Sequence, residues 1–98
     1  MKTLRKVTIK PEFVKSVPEN KQMQQDVVYI SLIHATMVHL CLCGCGNESV
    51  TPIGENGWGL SMVEENREKI ITITPSILNR NCPNHCHYII TKNIANIV

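Results

Sequence analysis

Aromatic residues are scarce: one Trp, one Phe and two Tyr in 98 residues, and no run of basic residues is interleaved with them. Ten bases against eight acids leave a net charge of +2. That balance is too mild to argue for nucleic-acid or membrane-surface binding. No stretch approaches the ~20 apolar residues of a membrane span. Met1 to Lys15 holds no apolar h-region, so no secretory leader is expected and the expected compartment is the cytoplasm. Repeats and low-complexity tracts are absent. So are H-E-x-x-H and the H-x-E/P-C-x-x-C pair, which removes the zincin and deaminase patterns.

Ile and Val are plentiful, and they favour strands. The length predicts one domain over 1–98, since domains run to roughly 100–150 residues. Residues 1–26 read as an N-terminal strand and loop. Within them 3–9 alternate as an edge strand, Pro11 and Pro18 exclude a long helix between them, and 20–26 is polar. Residues 27–42 form a β-branched apolar run without Gly or Pro. Periodicity leaves a single buried helix open there, but the Val, Ile, Thr and Tyr content favours strand. Cys41 to Asn47 is a turn, with Gly44, Gly46 and Asn47 permitting positive φ. Strands follow at 48–53, 58–63 and 69–74, the last ended by Pro75-Ser76. Glu64 to Glu68 reads as a charged, solvated turn and 77–83 as irregular. A strand at 88–91 and a terminal one at 94–98 complete the chain. The expected class is all-β, a small antiparallel sandwich or barrel around one metal site.

Five cysteines and four histidines stand in the sequence, and most gather in two clusters. The first is His39-x-Cys41-x-Cys43-x-Cys45, the second Cys82-x-x-His85-Cys86-His87. Clustered cysteines without a secretory leader point to metal rather than disulfides. Mixed Cys and His point to zinc, which takes about four such ligands in a tetrahedron. Residues i and i+2 of an extended strand share a face but lie nearly 7 Å apart. Two or three of Cys41, Cys43 and Cys45 therefore share an ion only if Gly44 and Gly46 bend the chain. In the second cluster Cys82 and His85 have C-x-x-H spacing. Cys86 and His87 are neighbours that would point apart, so one of the two is expected to bind.

A hydrolytic zinc site needs a base for its water. Glu48, three residues after Cys45, is the best-placed carboxylate, although a solvated strand-edge residue is the more ordinary explanation of it. His34, in an apolar run, reads as a core histidine, and Trp58 as core or a pocket wall. Ser76, at a strand end after Pro75, is not expected to be a nucleophile.

The string His39-Leu40-Cys41-Leu42-Cys43-Gly44-Cys45-Gly46 resembles the H-x-C-x-C-G-C-G signature of a small bacterial zinc-binding domain, domain-of-unknown-function family 6527. Trp58 before a strand, Pro75-Ser76-Ile77 after one and His87-Tyr88-Ile89-Ile90 near the end follow in that family's order, so the resemblance covers roughly 27–98. It departs at Asn84, where the family has the cysteine of a C-x-x-H pair; here the cysteine is Cys82, and His85 or Cys86 stands in reach of the vacated role. The resemblance implies association with bacterial ubiquitin-like conjugation systems. It implies partnership with a ubiquitin-like protein or its conjugation enzymes, and a peptidase that matures or removes the ubiquitin-like protein. On that footing the expected ligands come from Cys41, Cys43, Cys45, Cys82 and His87, with zinc as cofactor and Glu48 as proton relay. The alternative is a non-catalytic zinc module serving as an adaptor.

Overall fold

A computed structural model describes residues 5–79, 82, 83 and 86–97. His85, a candidate ligand, and residues 3, 4 and 98 of the expected terminal strands lie outside them.

Among the described residues nine strands form two sheets. They are β1 (Arg5–Thr8), β2 (Lys10–Phe13), β3 (Val27–Ser31), β4 (Thr36–Leu40), β5 (Glu48–Pro52), β6 (Gly59–Glu65), β7 (Glu68–Leu78), β8 (His87–Thr91) and β9 (Ile94–Ile97). One sheet has the order β1-β9-β8-β7-β6, the other β2-β3-β4-β5. All neighbours run antiparallel except β2 and β3, which are parallel. The all-β expectation holds: no α-helix occurs among the described residues, only a 3-10 turn at Asn20–Gln22.

The apolar run 27–42 is a hairpin rather than a single strand or a helix. It breaks at 32–35, where Ala35 takes φ 48°, and β3 and β4 pair antiparallel across the turn. His34 sits on that turn, exposed, not in the core. Its apolar neighbours Leu32 and Ile33 are exposed too, so hydrophobicity gave no sign of the break. Pro11 lies inside β2, an edge strand, which is where a residue without an N–H is tolerated. The charged turn contracts to Asn66 and Arg67, both at positive φ, the pattern of a two-residue hairpin turn.

The largest departure is at Pro75-Ser76. The strand expected to end there runs on to Leu78. Between Ile73 and Ile77 the ladder with β8 shifts register, and the Thr74–Pro75 peptide is cis. An irregularity in the ladder accommodates a proline in mid-strand.

The core lies between the sheets. Val28, Ile30 and Met37 from one sheet meet Ile71, Ile73, Ile77, Tyr88 and Ile90 from the other. Cys41, Leu42, Cys82 and Cys86 belong to the same buried cluster.

Candidate functional site

The first constellation is the thiol cluster. Sγ atoms of Cys41, Cys43, Cys45 and Cys82 all lie within 4.8 Å of one another. Cys41 and Cys43 are 3.4 Å apart and Cys43 and Cys82 3.2 Å apart. None of the five cysteines is in a disulfide. Four thiolates on a tetrahedral zinc at about 2.3 Å would stand about 3.8 Å from each other, and the observed spacing fits that set. The donor chemistry agrees, since soft thiolates select zinc or iron–sulfur chemistry.

The loop explains how i, i+2, i+4 cysteines converge. β4 ends at Leu40 and β5 begins at Glu48. Cys41 N–H donates to Asn47 O at 2.7 Å and Gly44 N–H to Cys41 O at 3.0 Å. Gly44 and Gly46 hold φ of 88° and 86°, values at which a side chain is strained. The chain therefore folds back instead of extending, and the sulfurs turn inward. Burial pushes the Cys41 thiol up to about 12, because an uncompensated thiolate is costly in a dry site. A bound cation removes that cost.

His87 does not join this group. Its Nε2 lies 2.6 Å from Ser76 Oγ. Both residues are half-buried. Ser76 lies on β7, and His87 opens β8, where it pairs with Leu78 in the ladder. Trp58 Nε1–H donates to Ser76 O at 3.2 Å. The loop that carries Trp58 is tight. Trp58 N–H donates to Pro52 O at 2.8 Å, and a Cβ on Gly57 would collide with that carbonyl. Two residues beyond the pair along their strands, Leu78 and Ile89 are exposed; alternation puts them on the face of Ser76 and His87.

Glu48 opens β5 and is exposed. With Cys82, Trp58 and Leu78 it lines a cavity of about 370 Å³ between the ends of the two sheets. His39 is buried and bonds through Nε2 to the Tyr88 hydroxyl. It therefore supports the cluster's strand and is no member of the thiol group. Cys86 is buried with its Sγ 3.6 Å from that of Cys82.

Reading the residues one by one named Ser76 but did not pair it with His87. Its signal lay in the landmarks Pro75-Ser76-Ile77 and His87-Tyr88, which stood out as strings and not as partners. They meet only because β7 continues past Pro75 and pairs with β8.

No curated protein and no solved structure matches the chain. No helix among the described residues is long and apolar enough to cross a membrane. A family model does match, over residues 13–98. It agrees with the association with bacterial ubiquitin-like systems, but carries another family description than the one the signature resembles, and it names a serine where a metal-dependent peptidase was expected. The chain belongs to the family described as bacterial ubiquitination-like system serine protease (BubE).

Proposed function

We propose that this chain is a serine hydrolase that cleaves acyl bonds made by a bacterial ubiquitin-like protein, on a fold held by a structural zinc. Ser76 is the nucleophile and His87 its general base. The observation that carries the proposal is the 2.6 Å separation of Ser76 Oγ and His87 Nε2, within reach for proton transfer. The family description supports the reaction class and the pathway.

Ser76 Oγ attacks the scissile carbonyl carbon while its proton passes to His87 Nε2. The tetrahedral adduct collapses, and His87 returns the proton to the leaving group. Water then hydrolyses the acyl-enzyme, with His87 again as base. Exposed Leu78 and Ile89 beside the pair give the substrate an apolar surface to rest on. The Trp58 bond to Ser76 O fixes the backbone that carries the nucleophile.

Zinc on Cys41, Cys43, Cys45 and Cys82 would supply only cross-linking of the β4–β5 loop to the segment before β8. Four thiolates fill a tetrahedral shell. The free cysteines suit a reducing cytoplasm, and the expected partners are the ubiquitin-like protein and its conjugation enzymes.

The test is hydrolysis of a ubiquitin-like precursor or conjugate, with labelling by a fluorophosphonate. Ser76→Ala and His87→Ala should each lower turnover by on the order of 10³-fold or more, and Ser76→Ala should abolish labelling. Full activity in Ser76→Ala sinks the proposal.

A second reading draws on the cavity shared by Glu48 and Cys82. There Glu48 would act as base for an attacking water at a metal short of one thiolate. It calls for a silent Ser76→Ala and an inactive Glu48→Gln, the reverse of the serine reading. An adaptor without catalysis would show no turnover in any form.

A further inference from the structure

Five thiols surround a site that takes four. Cys41, Cys43 and Cys82 form its inner base: Cys41 and Cys82 are buried, and Cys43 touches both. Cys45 closes the group from the solvent side, where it is exposed. Cys86 approaches from the buried side. Its Sγ is 3.6 Å from Cys82, close to the roughly 3.8 Å edge of a zinc–thiolate tetrahedron. The sulfurs of Cys43 and Cys41 also neighbour it.

The two outer thiols are held differently. Cys45 lies between Gly44 and Gly46, and a Cβ at either glycine would meet nothing within 4 Å. Its sulfur accepts one bond, from Asn47 Nδ2 at 3.5 Å. Cys86 is fixed in place, its carbonyl accepting from Asn79 N–H at 2.8 Å at the mouth of β8. One candidate for the fourth position is loosely tethered and wet. The other is anchored and dry.

We infer that Cys86 is an alternative fourth ligand of this metal site and replaces Cys45 when Cys45 leaves. The inference rests on the reading that the thiol cluster holds a metal ion. In the exchange one metal–sulfur bond forms as another breaks. The proton lost from the Cys86 thiol ends on the Cys45 thiolate, and nothing is oxidised or reduced. The consequence is retention: chemical blocking of the exposed thiol leaves the metal with four sulfurs.

The experiment counts sulfur neighbours by zinc-edge X-ray absorption on the full chain, as wild type, Cys45→Ser, Cys86→Ser and the double variant. Four sulfurs in the wild type and in both single variants, with three sulfurs and one lighter atom in the double, is the expected result. Three sulfurs in Cys45→Ser overturns the inference, because Cys86 then fails to substitute. Three in Cys86→Ser also overturns it, making Cys86 a fixed ligand. Wild-type protein without metal would instead sink the underlying metal reading. Should Cys86→Ser fail to fold, alkylation of the native zinc protein decides. One adduct at Cys45 with zinc retained supports the exchange, and zinc lost in step with that adduct refutes it.

Discussion

His39 on β4 and Tyr88 on β8 bond to each other across the two sheets, ring nitrogen Nε2 to phenol hydroxyl. Both are almost fully buried. Asn79 Nδ2 donates to the same hydroxyl at 3.1 Å. The other ring nitrogen of His39, Nδ1, has no partner among the described residues. His39 stands two residues before Cys41, and Tyr88 follows His87. The link thus ties the strand that leads into the thiol loop to the strand that carries His87.

Tyr88→Phe keeps the ring and its packing but strips partners from two buried groups, His39 Nε2 and Asn79 Nδ2. Leaving buried polar groups unsatisfied costs about 1–3 kcal/mol each. For the two groups together denaturant unfolding should show a loss of about 2–6 kcal/mol, with no change of slope. A variant as stable as wild type would mean that water or a rearrangement satisfies both groups.

Burial holds the His39 ring at about 4, below its ordinary 6.5. The folded state therefore binds fewer protons than the unfolded one between those values. The stabilising contribution is complete above pH 6.5 and is lost as pH falls toward about 4. Its full size is of order 3 kcal/mol, at about 1.4 kcal/mol per unit. Imidazole nitrogen shifts of the folded protein should report a neutral His39 at pH 5.5. An imidazolium there would contradict the burial argument.

The thiol cluster was legible because zinc chemistry needs few residue types and the glycines between the cysteines signal the bend. Strand content was legible from Ile and Val. The break at 32–35 was not, since Leu32, Ile33 and Ala35 are apolar residues placed on an exposed turn. The pairing of Ser76 with His87 was not legible for a related reason. Pro75 is a strand-ending residue by local rules, and only the shifted register with β8 keeps the strand going. Adjacency in the run His85-Cys86-His87, after Cys82, made His87 look like a ligand. A pairing eleven residues apart across a ladder leaves no mark in local pattern.

Removing the metal should loosen the β4–β5 loop more than the sheets. The five-stranded sheet carries none of Cys41, Cys43, Cys45 and Cys82 within its strands. A chelator should lower the melting temperature and raise amide exchange at 41–47 first. Cys41→Ser and Cys82→Ser, at buried positions in the base of the site, should weaken zinc binding more than Cys45→Ser, whose place Cys86 can take. Zinc affinity equal to wild type in both variants would rule out the four-cysteine site.

Trp58 offers a graded test of how the nucleophile is held. Its indole N–H reaches Ser76 O at 3.2 Å, on the backbone and not on the reacting hydroxyl. Trp58→Phe retains most of the apolar wall of the cavity and removes only that donor. A neutral hydrogen bond is worth about 1 kcal/mol, so kcat should fall about fivefold, since each 1.4 kcal/mol is tenfold. If Trp58 only lines the cavity, KM rises while kcat holds. If it positions Ser76, kcat falls and the rate of fluorophosphonate labelling falls with it, because the probe reads the serine without using the substrate's contacts. Unchanged labelling would remove Trp58 from any part in placing the nucleophile.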